Sequence, residues 1–188
     1  MKIQILDRAK KKKFIAGLAD LGMRKIPELL IRSGTERIRA YSGDLSTEQI
    51  MDFWRIMPIE GIGLYVGKEL MNRNGVRETR LSLDGMHVWK EQLTKRIVLL
   101  TAEQEDSWFE GKDIALGEAQ GIGGRDEVVG EKTDDERFLG EDGEVVSDGF
   151  VCVKGGEDFV GNGKIGGEGR ILINFLPKER RRKSMILS

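Results

Sequence analysis

The residues of this sequence that are best suited to chemistry are basic side chains gathered near its C-terminal end. They stand among short apolar runs and glycines in the stretch GFVCVKGGEDFVGNGKIGGEGRILINFLPKERRRK, residues 149–183. Because lysine and arginine neutralise phosphates, such a group at the end of a small β unit predicts an RNA-binding site. The candidate site residues are Lys164, Arg170, Asn174, Lys178, Arg180, Arg181, Arg182 and Lys183, with Gly161 and Gly163.

These residues are expected to act in different ways. The cations would meet phosphates, and the two glycines would let a sugar-phosphate chain approach the protein backbone. Asn174 would either contact a base or cap a turn. Phe159 and Phe175 lie among the cations and could stack on bases, but their apolar neighbours favour a place in the core.

The segment Gly161-Asn162-Gly163-Lys164 also suggests a nucleotide-binding loop. Such a loop requires G-x-x-x-x-G-K followed by Ser or Thr at the start of a helix. Ile165 stands at that position, and the flanking residues are typical of strands. The pattern therefore favours glycines that serve tight turns or close backbone approach in a small barrel.

Other kinds of catalytic site find little support. Cys152 lies in the apolar run FVCV, far in sequence from His87, the only histidine, so a packed thiol is favoured over a nucleophile. A metal site would need several ligands, and no His/Cys cluster exists. No G-x-G-x-x-G turn follows a strand. We therefore expect neither a cofactor nor an enzyme.

The elements that must position the site are predicted from apolar periodicity. An amphipathic helix is expected at 7–22, a hairpin around Gly34, and a helix that starts with a capping box at Ser46 and Gln49 and stops at Pro58. Strands, a helix at 82–89 and a second capping box at 101–104 follow. The predicted class is α+β, with an N-terminal helix-hairpin-helix α/β block at 1–58 and a second domain at 59–183, followed by a tail at 184–188.

Charge is distributed unevenly along the chain. Residues 118–148 contain 11 acidic and three basic residues, a local net charge of −8, so the remainder carries +7 of the total of −1. This stretch lacks a sustained apolar period and predicts a flexible acidic insertion at about 117–147. The positive remainder indicates a polyanionic partner.

Composition places the protein in the cytoplasm. No apolar run approaches 18 residues, so no contact with a membrane is expected, and the first residues lack the apolar stretch of a secretory signal. The single cysteine fits a reducing compartment.

The C-terminal stretch resembles the end of the PUA-like RNA-binding domain of Sun-type (Nol/Nop/Sun) RNA cytosine-5 methyltransferases. Gly149-Phe150-Val151 matches the family's opening strand, and Gly161, Gly163 and Lys164 match its G-x-G-K element. Its closing strand is matched by Gly169-Arg170, Asn174-Phe175, Pro177-Lys178 and Arg181. GIGLYVGKEL, RETRLSL and DSWFEGKDI are also similar to family segments, so the resemblance covers about 59–183.

The resemblance implies a PUA-like mixed β pseudo-barrel preceded by a small pre-PUA-like block, an arrangement similar to archaeal RNA-binding proteins. The family's methyltransferase domain has no counterpart in this sequence, its Pro-Ser-His is represented only by Ser82, and the acidic insertion is additional. RNA binding therefore carries over, whereas methyl transfer does not.

Two functions remain open at this point. The first is binding of structured tRNA or rRNA in RNA modification or ribosome biogenesis, without catalysis. The alternative is a protein-interaction subunit that serves as the recognition partner of a separate RNA cytosine-5 methyltransferase, with the acidic insertion as its docking arm. An RNA-modifying enzyme is opposed by the missing cofactor motifs.

Overall fold

The computed structural model describes residues 3–57, 61–71, 75–117, 120, 149–167 and 169–182. Within them the chain is a mixed α+β protein, as the sequence predicts. Apart from Gly117 and Gln120, the predicted acidic insertion lies outside the described residues, as does the predicted tail at 184–188.

The chain divides into two compact units. The first contains Met1–Ala19 and Met23–Trp89, and the second contains Asp20–Gly22 and Lys90–Ser188. None of the helices in the described ranges has the length and apolar character needed to cross a membrane.

The first unit is built on a five-stranded antiparallel sheet in which sequence neighbours pair throughout. Its strands are β1 (Ile3–Ile5), β2 (Leu29–Ser33), β3 (Arg37–Tyr41), β4 (Leu64–Met71) and β5 (Arg77–Leu81).

Three helices accompany this sheet, α1 (Arg8–Ala16), α2 (Thr47–Ile56) and α3 (Leu83–Val88). The capping box predicted at Ser46 and Gln49 is confirmed, since each side chain bonds the backbone N–H of the other. Ser82 caps α3 through the N–H of Gly85.

The helix predicted at 7–22 ends earlier, at Ala16. Gly17 and Leu18 close its last turn with hydrogen bonds to the carbonyls of Lys13 and Ile15, at 3.1 and 2.9 Å. Gly17 lies against the Thr79 side chain, where any side chain of its own would overlap, and a separate 3₁₀ turn follows at Ala19–Leu21.

The two faces of the first sheet differ. Helices α1 and α3 cover one face, on which Leu30, Ile38 and Leu81 are buried. Helix α2 packs on the other face through Ile50, against Ile3 and Ile31 of β1 and β2. The β4–β5 part of that second face carries Tyr65, Lys68 and Arg80.

The second unit contains a five-stranded mixed sheet that curls into half a barrel. Its order is β6-β8-β9-β10-β7, with β6 and β8 parallel and the other pairs antiparallel. The strands are β6 (Ile97–Leu100), β7 (Ile114–Ala115), β8 (Phe150–Gly155), β9 (Asp158–Gly166) and β10 (Ile171–Asn174).

Helix α4 (Ala102–Phe109) closes one face of this sheet. It starts with the predicted capping box, confirmed at Thr101 and Gln104. Trp108 near its end is fully buried in the core of the unit, and its Nε1–H donates to the carbonyl oxygen of Val160 at 3.2 Å. Other core residues include Val98, Leu100, Val151, Val153, Ile165, Leu172 and Leu176.

The first unit extends to Trp89, whereas the sequence predicts a boundary at 58–59. Strand β3 pairs with β4 through Arg37 and Lys68, so the segment after the predicted boundary belongs to the first sheet. Helix α3 follows in the same unit, which extends to Trp89. Strand pairing across the boundary is a long-range contact that local periodicity cannot reveal.

The first sheet contains a buried ionic cluster. The Glu69 side chain is 6% exposed, and its carboxylate pairs with the Arg32 guanidinium and lies 3.7 Å from the Arg77 guanidinium. A charge that is buried in this way has lost its hydration, so it destabilises the fold unless an opposite charge lies beside it.

We expect Glu69→Ala to lower the free energy of unfolding by about 3 kcal/mol, because Arg32 would remain largely buried without its partner. Urea denaturation of the full chain measures this change. Asp52→Ala is the matched control, since the Asp52–Arg55 pair is mostly exposed and should contribute under about 1 kcal/mol. Equal losses in the two variants would contradict the structural role of Glu69.

Candidate nucleic-acid interface

Lys164 is held on the outward face of β9 by an aromatic neighbour. It is paired across the sheet with Phe150 of β8 and Ile173 of β10. Its ammonium lies 4.7 Å from the centre of the Phe150 ring, and the Phe175 ring meets Phe150 edge-on at 5.5 Å. The ring attracts the cation and fixes its position, while the side chain remains partly exposed.

Arg170, Lys178 and Arg180 are exposed. Arg170 stands in the turn between β9 and β10, where its backbone accepts a hydrogen bond from the Leu116 N–H at 2.8 Å. Lys178 and Arg180 belong to a 3₁₀ turn, Lys178–Arg180, that follows β10. Three of the cations that the sequence predicts to contact phosphate therefore lie on turns at the surface.

Asn174 performs the second of its two expected roles. Its side-chain amide donates to the carbonyl oxygens of Trp108 and Lys112, at 2.8 and 3.0 Å, and its Oδ1 accepts from the Leu176 N–H at 2.7 Å. Because its two amide hydrogens are used in this way, Asn174 ties the end of β10 to α4 and is not placed to contact a base.

Arg181 and Arg182 fold back onto the protein. Arg181 Nε donates to the Leu176 carbonyl at 3.1 Å. Arg182 pairs with Asp106 at 2.8 Å, and its guanidinium lies 4.7 Å from the centre of the Phe109 ring. These two arginines therefore anchor the segment that carries Lys178 and Arg180. Lys183 lies outside the described residues.

Gly161 and Gly163 are buried and face protein atoms. A Cβ atom on Gly161 would lie 3.0 Å from the Trp108 ring. One on Gly163 would lie 2.6 Å from both the Ile173 carbonyl oxygen and Leu172 Cδ1. The glycines thus serve close approach within the second sheet and against Trp108, as the sequence indicates, but the space beside them is filled by this protein.

The remaining candidates from the sequence are core residues or lie apart. Phe159 is buried, as expected, with the Lys154 ammonium 5.2 Å from its ring centre. Cys152 is fully buried, and burial raises the pKa of its thiol from 9.0 to about 12. His87 lies exposed on α3 in the first unit. No group of three potential metal ligands is found among the described residues.

The sequence patterns did not single out a second group of cations, in the first unit. Arg37, Arg39, Lys68 and Arg80 share one face of the first sheet with Tyr65. In the sequence RIRAY of β3, Arg37 and Arg39 alternate with buried Ile38 and Ala40, and this alternation is the signal that points to them. The strand register that unites them cannot be read from local sequence.

Comparison of the chain with protein-family models finds no match, and comparison with the curated proteins finds none either. Function is therefore inferred from the geometry of each unit.

Gly163→Ala is expected to destabilise the second unit by about 2 kcal/mol, because the new methyl group would push β9 and β10 apart. Chemical denaturation measures the change. Gly166→Ala on the same strand is the control, since its methyl group would meet only the end of the flexible Ile173 side chain, at 3.0 Å. Unchanged stability of Gly163→Ala would contradict this packing role of Gly163.

The buried thiol of Cys152 predicts a specific dependence of stability on pH. Because its pKa is raised in the folded chain, its contribution is complete below pH 9 and is lost as the pH rises toward 12. From pH 8 to 11, the free energy of unfolding of the wild type should fall relative to Cys152→Ala by about 2 to 3 kcal/mol, at about 1.4 kcal/mol for each pKa unit. Parallel pH profiles would contradict this.

Proposed function

We propose that this protein binds structured RNA, tRNA or rRNA, through the outward cations of its second unit. One observation carries the proposal: Lys164, Arg170, Lys178 and Arg180 project from a single strand-turn-strand segment and the turn that follows it. Cations carried by one such segment can neutralise phosphates and release the counterions bound to them.

The anchoring contacts around this segment support the proposal. Asn174 and Arg182 hold it to the end of α4, since the Asn174 amide donates to the Trp108 carbonyl and the Arg182 backbone N–H donates to the Phe109 carbonyl, both at 2.8 Å. Arg181 closes the segment on itself by donating from Nε to the Leu176 carbonyl. A cationic segment that is already ordered loses less conformational freedom when it binds a partner, so more of the electrostatic attraction remains as affinity. An unanchored basic tail would lack this advantage.

The curled mixed sheet of the second unit is compatible with a PUA-like pseudo-barrel, and we adopt that assignment as part of the proposal. A rigid small barrel suits folded RNA, which is recognised largely through its shape and backbone. The matched positions Lys164, Arg170 and Lys178 are all partly or fully exposed, which supports their proposed role in binding.

In this proposal the chain is a cytoplasmic recognition protein, not an enzyme, that acts in RNA modification or ribosome biogenesis. The buried Cys152 has a raised pKa and is poorly suited to nucleophilic attack. The chemistry on the RNA would then be supplied by another protein.

The test compares binding of bulk tRNA and of an rRNA fragment at several salt concentrations. Replacement of Lys164, Lys178 and Arg180 by Gln should weaken binding roughly tenfold or more at 0.1 M salt, and reduce the slope of log affinity against log salt by about two to three. Fluorescence anisotropy with labelled RNA provides both quantities.

The control is Lys12→Gln, Lys13→Gln and Lys90→Gln, which removes the same charge from exposed positions outside the site. It should leave affinity within about twofold of the wild type. If the wild type fails to bind either RNA at low salt, the proposal is wrong, and the alternative of a recognition subunit for a separate methyltransferase takes its place.

A further inference from the structure

Strands β3 to β5 of the first sheet carry an unusual arrangement of charges. In the strand register, Arg37 of β3 lies opposite Lys68 of β4, and Lys68 lies opposite Arg80 of β5. Three cations therefore form one row across three adjacent strands. Like charges placed directly opposite each other destabilise a sheet, so the row costs stability in the free protein.

Two further residues extend this row, which is here called the β3–β5 cationic face. Arg39 lies opposite Tyr65, on the same side of the sheet. The Arg39 guanidinium donates to the Gly63 carbonyl at 2.8 Å, which fixes its position beside the tyrosine. The complete face consists of Arg37, Arg39, Tyr65, Lys68 and Arg80.

The side chains of this face are partly desolvated, and their charges shift one another's pKa values. Desolvation lowers the pKa of Lys68, and the charges of Arg80 and Arg37 lower it further, while Glu36 opposes them. Desolvation also raises the pKa of Tyr65 against the opposing effect of Arg80, Arg37 and Arg39. Charges that are shielded from bulk water interact more strongly, both with each other and with an incoming anion.

Acidic side chains near the face do not balance it. Glu36 lies beside Arg37, and Glu78 is on the same side of β5 as Arg80. Among the residues that the structure describes, the face thus combines four cations with two carboxylates, an excess of positive charge. Its side chains are partly or fully exposed, so they remain accessible from solvent.

We propose that the β3–β5 cationic face is a second binding site for the sugar-phosphate backbone of RNA. The row spans two strand spacings of about 4.8 Å each, a length that favours a chain of phosphates over a single ion. Guanidinium groups bind phosphate oxygens through paired hydrogen bonds. The Tyr65 side chain adds a ring and a hydroxyl group, suited to a sugar or a base.

This inference rests on the proposed function but concerns different residues, so the two can fail separately. Lys68→Gln in the full chain removes the central charge of the row. In the absence of RNA, the urea midpoint of unfolding should rise, because the repulsion from Arg37 and Arg80 is relieved. The same variant should bind bulk tRNA about three- to tenfold more weakly at 0.1 M salt, with the salt slope reduced by about one.

A rise in stability together with a loss of affinity distinguishes a binding site from a structural role, since damage to the fold would lower both. Lys12→Gln, on the exposed surface of α1, is the matched control and should change neither quantity. Arg37→Gln provides a second test at an exposed position, where misfolding is not expected, and should also weaken binding.

Unchanged tRNA affinity in both Lys68→Gln and Arg37→Gln would overturn the inference. So would competition by inorganic phosphate at millimolar concentration, which would indicate a site for a single small anion. If Lys68→Gln weakens binding whereas the triple variant of Lys164, Lys178 and Arg180 does not, the inference holds and the site under the proposed function is wrong. If the triple variant weakens binding whereas Lys68→Gln does not, the site under the proposed function holds and this inference is wrong.

Discussion

The second unit depends on the burial of Trp108 against a strand that leaves room for it. The ring lies over Gly161, its Nε1–H donates to the Val160 carbonyl, and its own carbonyl oxygen accepts the amide of Asn174. One residue therefore connects α4, β9 and the end of β10. The turn that carries Lys178 and Arg180 comes shortly after Asn174 in the chain. The bond between Asn174 and Trp108 therefore helps to fix the position of these two surface cations.

Local features of this fold could be predicted from the sequence because their partners are close in the chain. The capping boxes at Ser46 and Thr101 are confirmed, since each involves residues only three positions apart. The boundary between the units could not be predicted in this way, because it depends on pairing of β3 with β4. The roles of the basic residues could not be predicted for the same reason, because their contacts are distant in the sequence. Arg182 is an anchor because its backbone N–H donates to the Phe109 carbonyl and its guanidinium lies over the Phe109 ring, and Phe109 is distant in the sequence.

The two cationic surfaces face different physical constraints. Exposed cations such as Lys178 and Arg180 are well hydrated and cost the free protein little, but salt screens them over about 10 Å at 0.1 M. Lys68 is partly desolvated and lies between two arginines, so its charge is costly in the free protein and less easily screened. A polyanion would gain from the first surface mainly by counterion release, and from the second also by relief of repulsion.

The opposite face of the first sheet shows that this fold can pair its charges where stability requires it. There Glu69 is buried between Arg32 and Arg77, and each cation has the carboxylate as its neighbour. On the β3–β5 cationic face the same strands place Arg37, Lys68 and Arg80 directly opposite one another in the register. A sheet that compensates charge on one face and accumulates it on the other gains no stability from the second arrangement. An anion bound there, as we propose, would offset the repulsion between these opposed cations.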